Sequence, residues 1–211
     1  MQHDRSTTGY AGLLSLQPQN ADRRAQLRDY AFGLLGNKSL TDCERLVRIV
    51  QKAGELYPHR MLPRGDVDPN PRPVVQAIFS TLTEFSSISI TGQRTPSDPN
   101  FRVGVFRNDT YYGGGFGQSG FRTEFQENGP GPQNQVRHFA GWFAAGYTFG
   151  DYGAVRNRLF QAEGTSNPND PDVALGLVGI EIGASFGGDR LGLARNIWHK
   201  VCGQSGEPPK P

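Results

Sequence analysis

The chain has 211 residues, of which 36% are hydrophobic and 20% charged, and a formal net charge of +2 at pH 7. This composition excludes a disordered or membrane-like chain, and the balance of charges excludes a field strong enough to attract nucleic acid. With 28 glycines and 15 prolines, the chain needs long loops or close helix contacts. We expect one soluble domain over residues 20–203, between a polar N-terminal arm at 1–19 and a flexible proline-rich tail at 204–211.

Two features bear on the compartment. The first residues lack the basic and then apolar order of a signal peptide, so we expect a cytoplasmic protein, or one exported without a recognisable signal peptide. Cys43 and Cys202 are the only cysteines, and their spacing is not that of metal ligands. Two buried thiols are the favoured interpretation. The alternative is a disulfide that ties the first helical pair to the last helix, which requires an oxidising compartment.

Helical spacing of apolar residues predicts three helices in the first half of the chain. The first covers residues 21–35 and ends at a glycine. Thr41-Asp42-Cys43-Glu44 has the form of a capping box, so a second helix begins there and ends before Pro58. After a proline-rich connector at 58–73, a third helix extends to about Phe85.

The apolar period changes to two after the third helix. Residues 88–90 and residues 101–105 each alternate between apolar and small or polar side chains, which predicts a small β hairpin. Residues 107–133 follow without a sustained period and include a long Gly/Tyr-rich loop.

The second half of the chain contains two helices that are apolar on nearly all sides. Residues 134–149 form one and residues 172–186 the other, so we expect both at the centre of the fold. Gly176, Gly179 and Gly183 lie along one side of the second, which predicts the close approach of another helix backbone.

A last helix is predicted from the cap Asp189 to Gly203. Together these elements predict a fold of the α+β class, mainly α. It has about six helices around two buried Gly-rich central helices, with a small β hairpin and a long Gly/Tyr-rich loop.

Each central helix carries one ionisable group, His138 on the first and Glu181 on the second. Burial of such a group is costly unless a partner compensates it, and a shifted pKa in such a place is typical of a general acid or base. Both residues are therefore catalytic candidates. The alternative is a structural network, in which Arg137 is a second possible partner of Glu181.

A carboxylate stands near the end of the third helix. Glu84 precedes the predicted hairpin, which contains Asp98 and is followed by Asp109. This order of helix, carboxylate and hairpin resembles that of lysozyme-like glycosidases over about thirty residues. The resemblance implies one carboxylic acid that protonates the leaving oxygen and a second carboxylate that assists. Glu84 and Glu124 complete the set of catalytic candidates.

The Gly/Tyr-rich loop is a candidate binding surface. A phosphate loop is excluded, because the glycine run has no lysine and does not lead from a strand directly into a helix. Tyr111, Tyr112, Phe116 and Arg122 are instead candidates for stacking on sugars or bases. The alternative is an ordered loop that packs on its own domain.

Two blocks, residues 134–141 and residues 172–176, have the form of a motif pair, to which no family is attached. The chain lacks the HExxH, CxxC, Walker, GxSxG and dinucleotide-binding motifs. We therefore predict neither a cofactor nor a metal site.

Three functions stay open at this point. The first is a non-catalytic interaction or structural protein that contacts a partner, another protein, through the Gly/Tyr-rich loop and the termini. The second is a hydrolase that acts on a glycan by lysozyme-like carboxylate chemistry, with catalytic groups from the set His138, Glu181, Glu124 and Glu84. The third is insertion of the two central helices into a membrane, for which runs of ~14 residues are short.

Overall fold

The computed structural model describes residues 21–58, 60–61, 67–68, 71–83, 85–88, 94–96, 116–128, 134–151 and 153–210. The predicted N-terminal arm at 1–19 and residues 97–115 lie outside these ranges. The described residues form seven α-helices: α1 Ala21–Leu35, α2 Asp42–Leu56, α3 Arg72–Thr83, α4 Gln135–Phe149, α5 Gly153–Glu163, α6 Pro171–Ala184 and α7 Arg190–Lys200.

Capping side chains determine where three of the helices begin. At the start of α2, the Thr41 hydroxyl accepts a hydrogen bond from the Glu44 amide, and the Glu44 carboxylate accepts one from the Thr41 amide at 2.7 Å. The predicted capping box is thus confirmed. Asp170 accepts from two first-turn amides of α6, and Asp189 accepts from the Gly192 amide of α7. These oxygens satisfy amides that no helical carbonyl reaches.

The predicted α+β class, with about six helices and a small β hairpin, is wrong. Extended structure in the described residues is limited to two antiparallel ladders, β1 Arg60–Met61 with β2 Val67–Asp68 and β3 Phe85–Ile88 with β4 Arg94–Pro96. β3 pairs with Arg94–Pro96, and the predicted partner at 101–105 lies outside the described residues. Strands of two to four residues form no sheet layer on which a core can pack.

The seventh helix, α5, is the one that the sequence did not predict. Its buried residues are Val155 and Leu159, and most of the others are exposed. The helix therefore lacks the broad apolar stripe by which amphipathic helices are recognised.

The core surrounds α4 and α6, which pack along each other and run in the same direction: His138 of α4 lies beside Asp172 of α6, and Gly146 lies beside Ile180. α2, α3 and α7 enclose the larger apolar cluster, whose fully buried members include Leu46, Ile49, Phe79, Leu82, Phe139, Phe143, Leu175 and Leu193. A smaller cluster joins α5 to the same pair through Ala145, Val155, Leu159 and Ile180. No helix in the described residues has the length and apolarity needed to cross a membrane.

Glycines allow α4 and α6 to approach closely. A Cβ atom at Gly183 would collide with the Phe143 carbonyl oxygen, and one at Gly146 would collide with the Ile180 carbonyl oxygen. The backbone of α4 also lies 3.2 Å from a Cβ placed at Gly179. The predicted approach of a helix backbone is confirmed at Gly179 and Gly183, whereas Gly176 faces side chains of Leu159 and Trp142.

Cys43 and Cys202 form a disulfide, so the favoured prediction of two free thiols is wrong. Cys43 lies in the first turn of α2, and Cys202 follows the C-terminal end of α7. The bond joins residues 159 positions apart. In the chain-entropy estimate, a link of this span stabilises the fold by ~5 kcal/mol through its effect on the unfolded chain. The alternative, a disulfide between the first helical pair and the last helix, is confirmed. Which of the two forms is present depends on the packing of α2 against α7, which the sequence does not show.

The glycine contact between α4 and α6 predicts a large difference between two substitutions. Gly183→Ala is expected to reduce the free energy of unfolding by about 1–3 kcal/mol, because its methyl group would meet the Phe143 carbonyl. Gly141→Ala on α4 is the matched control, since no atom lies within 4 Å of its Cβ position and alanine favours the helix. Guanidinium denaturation measures both. Equal stabilities would contradict the close approach.

Candidate functional site

Polar side chains from four parts of the chain meet at the N-terminal ends of α4 and α6. Glu127 comes from the segment 116–128, after a short 3-10 helix at Thr123–Phe125. Gln135 and His138 lie in the first turn of α4, Glu163 is the last residue of α5, and Asp172 lies in the first turn of α6. We call these five residues the acidic cluster.

The helix ends favour some of these charges and disfavour one. Asp170 and Asp172 lie at the N-terminal end of α6, where the helix dipole stabilises a carboxylate. Because α4 runs parallel to α6, a second positive helix end lies beside the first. Glu163 is at the C-terminal end of α5, where the dipole opposes its charge.

Gln135 bridges the two carboxylates at the centre of the cluster. The side chain is fully buried, and its Nε2 donates to Glu127 Oε1 at 3.2 Å and to Asp172 Oδ1 at 3.0 Å. Its Oε1 is also buried and has no hydrogen-bond partner in the described part of the chain. Such an oxygen is costly to bury, and it is a ready acceptor for a ligand.

His138 has one ring nitrogen engaged and the other directed at a carboxylate. Nε2 lies 2.7 Å from the Asp172 carbonyl oxygen, which can only accept, so Nε2 carries a proton and donates. Nδ1 lies 3.9 Å from Glu163 Oε1, which is longer than a hydrogen bond. The two side chains are only 10% and 20% exposed. When the imidazole is neutral, the lone pair of Nδ1 and the Glu163 carboxylate are therefore two acceptors that face each other without a hydrogen bond.

Glu127 and Asp172 are in direct contact. Burial, the charge of Asp172 and a hydrogen bond with Asp172 raise the pKa of Glu127 to about 7, and Asp170 and Glu163 act in the same direction. Neither Glu127 nor Asp172 forms an ion pair with a lysine or arginine among the described residues. Within the described residues, the negative charge of Glu127 and Asp172 is therefore not neutralised by a lysine or an arginine.

The predicted partners His138 and Glu181 are separated. Glu181 is exposed on α6 and binds Lys200 of α7 at 2.7 Å. It lies nine residues beyond Asp172, which is ~13 Å along a helix axis. His138 contacts the N-terminal end of α6 instead. The two ionisable groups of the central helices therefore belong to different environments, one half-enclosed and one solvent-facing.

The remaining candidate residues lie away from the cluster or outside the described ranges. Glu124 is exposed and pairs with Arg122 at 2.6 Å, and the Arg122 guanidinium lies 5.9 Å from the centre of the Phe125 ring. Phe116 is buried in the core, with 2% exposure. Three further candidates, Glu84, Tyr111 and Tyr112, lie outside the described residues.

Four members of the acidic cluster were not predicted as site residues. Gln135 and Asp172 did have a signal, because they belong to the two blocks 134–141 and 172–176, and the structure brings these blocks into contact. Glu163 had none, because α5 was not predicted. Glu127 had none either, because it lies in a segment without a regular period.

The cluster has the donor atoms of a cation site. His138, Glu163 and Asp172 each offer one ligand atom, and these atoms lie within 4.8 Å of one another. Imidazole nitrogen and carboxylate oxygen together are ligands of divalent cations such as Mn²⁺ and Zn²⁺.

Comparison of the chain with family models, curated proteins and solved structures found no match.

The raised pKa of Glu127 predicts a pH-dependent stability. Its folded pKa lies above the unfolded value, so the protonated carboxyl stabilises the fold at low pH, and this contribution is lost as pH rises from about 4.5 through about 7. Glu127→Gln, which imitates the protonated form, should therefore gain stability relative to the wild type over that window. Thermal unfolding in buffer with a chelator tests this, with Glu181→Gln as the control. A constant difference across the window would contradict the assignment.

Proposed function

We propose that the protein binds a divalent cation at the acidic cluster through His138 Nδ1, Glu163 and Asp172. The observation that carries the proposal is the 3.9 Å separation of His138 Nδ1 and Glu163 Oε1, while Nε2 of the same ring is held by a backbone carbonyl. A metal-binding histidine commonly donates its other N–H to a carbonyl in this way, which fixes the tautomer and the ring.

The separation suits a bridging cation better than a direct contact. Two acceptors repel each other, but a cation that binds each at ~2.0–2.2 Å draws such atoms to ~3.3 Å in a tetrahedral site. The three ligand atoms now lie within 4.8 Å of one another, and a bound cation would draw them closer together. A cation would also compensate Glu163, which the α5 dipole disfavours.

Gln135 supplies independent support, because its buried Oε1 has no partner in the described residues. The amide currently directs its nitrogen at Glu127 and Asp172. With a cation held by Asp172, rotation of the Gln135 amide would allow this oxygen to serve as a further acceptor at the site. The mixed set of one nitrogen and several oxygens favours Mn²⁺ or Zn²⁺ over Ca²⁺, which prefers oxygen alone.

Cation binding can be measured directly by titration calorimetry of the disulfide-bonded protein with Mn²⁺ or Zn²⁺. Asp172→Asn is expected to weaken binding at least ~10-fold, because it removes a charged ligand. Glu181→Gln removes a carboxylate from the same helix and is expected to leave the affinity unchanged. Absence of binding to the wild type, or equal effects of the two substitutions, would refute the proposed site.

Hydrolysis is a second candidate function, favoured by the position of Glu127 against Asp172. A divalent cation makes its bound water easier to deprotonate, and a carboxylate beside a cation ligand can accept the proton. A glycan, the substrate class that the lysozyme-like order of elements implies, is the substrate that we propose for this reaction.

The hydrolase candidate is tested by release of reducing ends from a panel of polysaccharides in the presence of Mn²⁺. Glu127→Gln is expected to lower the rate ~100-fold or more at saturating Mn²⁺, because it removes the proton acceptor. Glu124→Gln, an exposed carboxylate of the same segment, is the control. A Glu127→Gln rate equal to the wild type would exclude this role.

Interaction with a protein partner through the Gly/Tyr-rich loop stays a prediction. Of the residues predicted for this contact, Phe116 is buried in the core. For the location of the protein, the Cys43–Cys202 disulfide supports export, because disulfides persist in oxidising compartments.

A further inference from the structure

We propose that the Cys43–Cys202 disulfide controls the cation affinity of the acidic cluster through the segment 116–128. This inference rests on the proposed cation site and adds its regulation. The segment contacts both cysteine-bearing helix ends at one end and contributes Glu127 to the cluster at the other.

The first contact fixes Ser119 to the start of α2. The Cys43 amide donates to the Ser119 carbonyl at 3.0 Å. The Asp42 carboxylate accepts from the Ser119 amide at 2.9 Å and from the Ser119 hydroxyl at 2.7 Å. Asp42 is itself paired with Arg45 at 2.7 Å. Ser119 is thus held through several bonds by the helical turn that contains Cys43.

The second contact fixes Arg122 to the end of α7. The Arg122 amide donates to the carbonyl of Val201, the neighbour of Cys202, at 3.0 Å. A Cβ at Gly203 would lie 2.8 Å from the Arg122 side chain, so this side chain packs directly on Gly203. The disulfide therefore joins the two surfaces between which residues 119–122 lie.

Gln118 connects the segment 119–122 with Glu127. Its Nε2 donates to the Glu127 carbonyl at 3.0 Å, and its Oε1 accepts from the Glu127 amide at 2.6 Å. The backbone of Glu127 is thus bound to the residue that precedes Ser119. The Glu127 side chain then reaches Gln135 and Asp172. A continuous series of hydrogen bonds connects the disulfide with a cation ligand.

Reduction of the disulfide by a dithiol yields two thiols and the oxidised cyclic dithiol, with transfer of two electrons and two protons. The covalent link between the start of α2 and the end of α7 is then lost. Residues 119–122 no longer lie between surfaces held at a fixed separation, so Glu127 loses its defined position beside Asp172. If reduction of the disulfide weakens cation binding by a given factor, thermodynamic linkage requires that a bound cation disfavours reduction by the same factor.

The main test compares Mn²⁺ affinity in the disulfide-bonded protein and in the double variant Cys43→Ala/Cys202→Ala, which avoids thiols that bind metal. We expect binding at least ~5-fold weaker in the double variant. Far-UV circular dichroism and thermal unfolding establish that the variant remains folded at the assay temperature. In the wild type, Mn²⁺ should also slow reduction of the disulfide by a dithiol.

A second variant tests the route with the disulfide intact. Gln118→Ala removes both hydrogen bonds to the Glu127 backbone and is expected to weaken Mn²⁺ binding at least ~3-fold, in the lower range of allosteric couplings. Gln204→Ala is the matched control, because the Gln204 side chain bonds to the Cys202 carbonyl at 3.4 Å and to no residue of the segment.

The outcomes separate the two proposals. If the disulfide-bonded wild type does not bind Mn²⁺ or Zn²⁺, the cation site itself is refuted. If the wild type binds while the folded double variant and Gln118→Ala bind equally well, the site stands and its control by the disulfide is refuted. Should the double variant unfold, the comparison of Gln118→Ala with Gln204→Ala decides alone.

Discussion

The rest of the structure depends on the parallel contact between α4 and α6. The helices approach so closely that a carbonyl of each occupies the space where a side chain of the other would begin, at Gly146 and Gly183. Glycine costs helix propensity at these positions, and the cost is offset by packing that no larger residue permits. Because the helices run in the same direction, their N-terminal ends meet, and the first turns that carry Gln135, His138 and Asp172 are placed together.

This arrangement explains part of the acidic cluster electrostatically. Two positive helix ends favour nearby carboxylates, which accounts for Asp170 and Asp172. It does not account for Glu163 at the opposite kind of helix end, nor for the raised pKa of Glu127, which burial and then the charge of Asp172 cause. Within the described residues, neither Glu127 nor Asp172 is paired with an arginine or a lysine. The unpartnered oxygen of Gln135 is equally unexplained by fold stability.

Sequence reasoning was most successful where local chemistry determines structure. The capping box at Thr41 and the cap at Asp189 depend on a few adjacent residues, so the sequence predicts them correctly. α5 was missed because two buried residues give no periodic signal. The disulfide and the acidic cluster depend on which helices become neighbours, which no local pattern contains. The α+β class is wrong because alternation over a few residues does not specify strands long enough to form a sheet layer.

The acidic cluster lies where two separately fixed parts of the protein meet. Gln135, His138 and Asp172 belong to the α4/α6 pair, whose position is set by glycine packing, whereas Glu127 belongs to a segment held by the ends of α2 and α7. The separation of Glu127 and Asp172 thus depends on both constraints. A contact that only stabilises the core does not need two separately positioned parts, because burial alone would maintain it. A ligand site gains from them, because small displacements of one part change the fit of the ligand without loss of the fold.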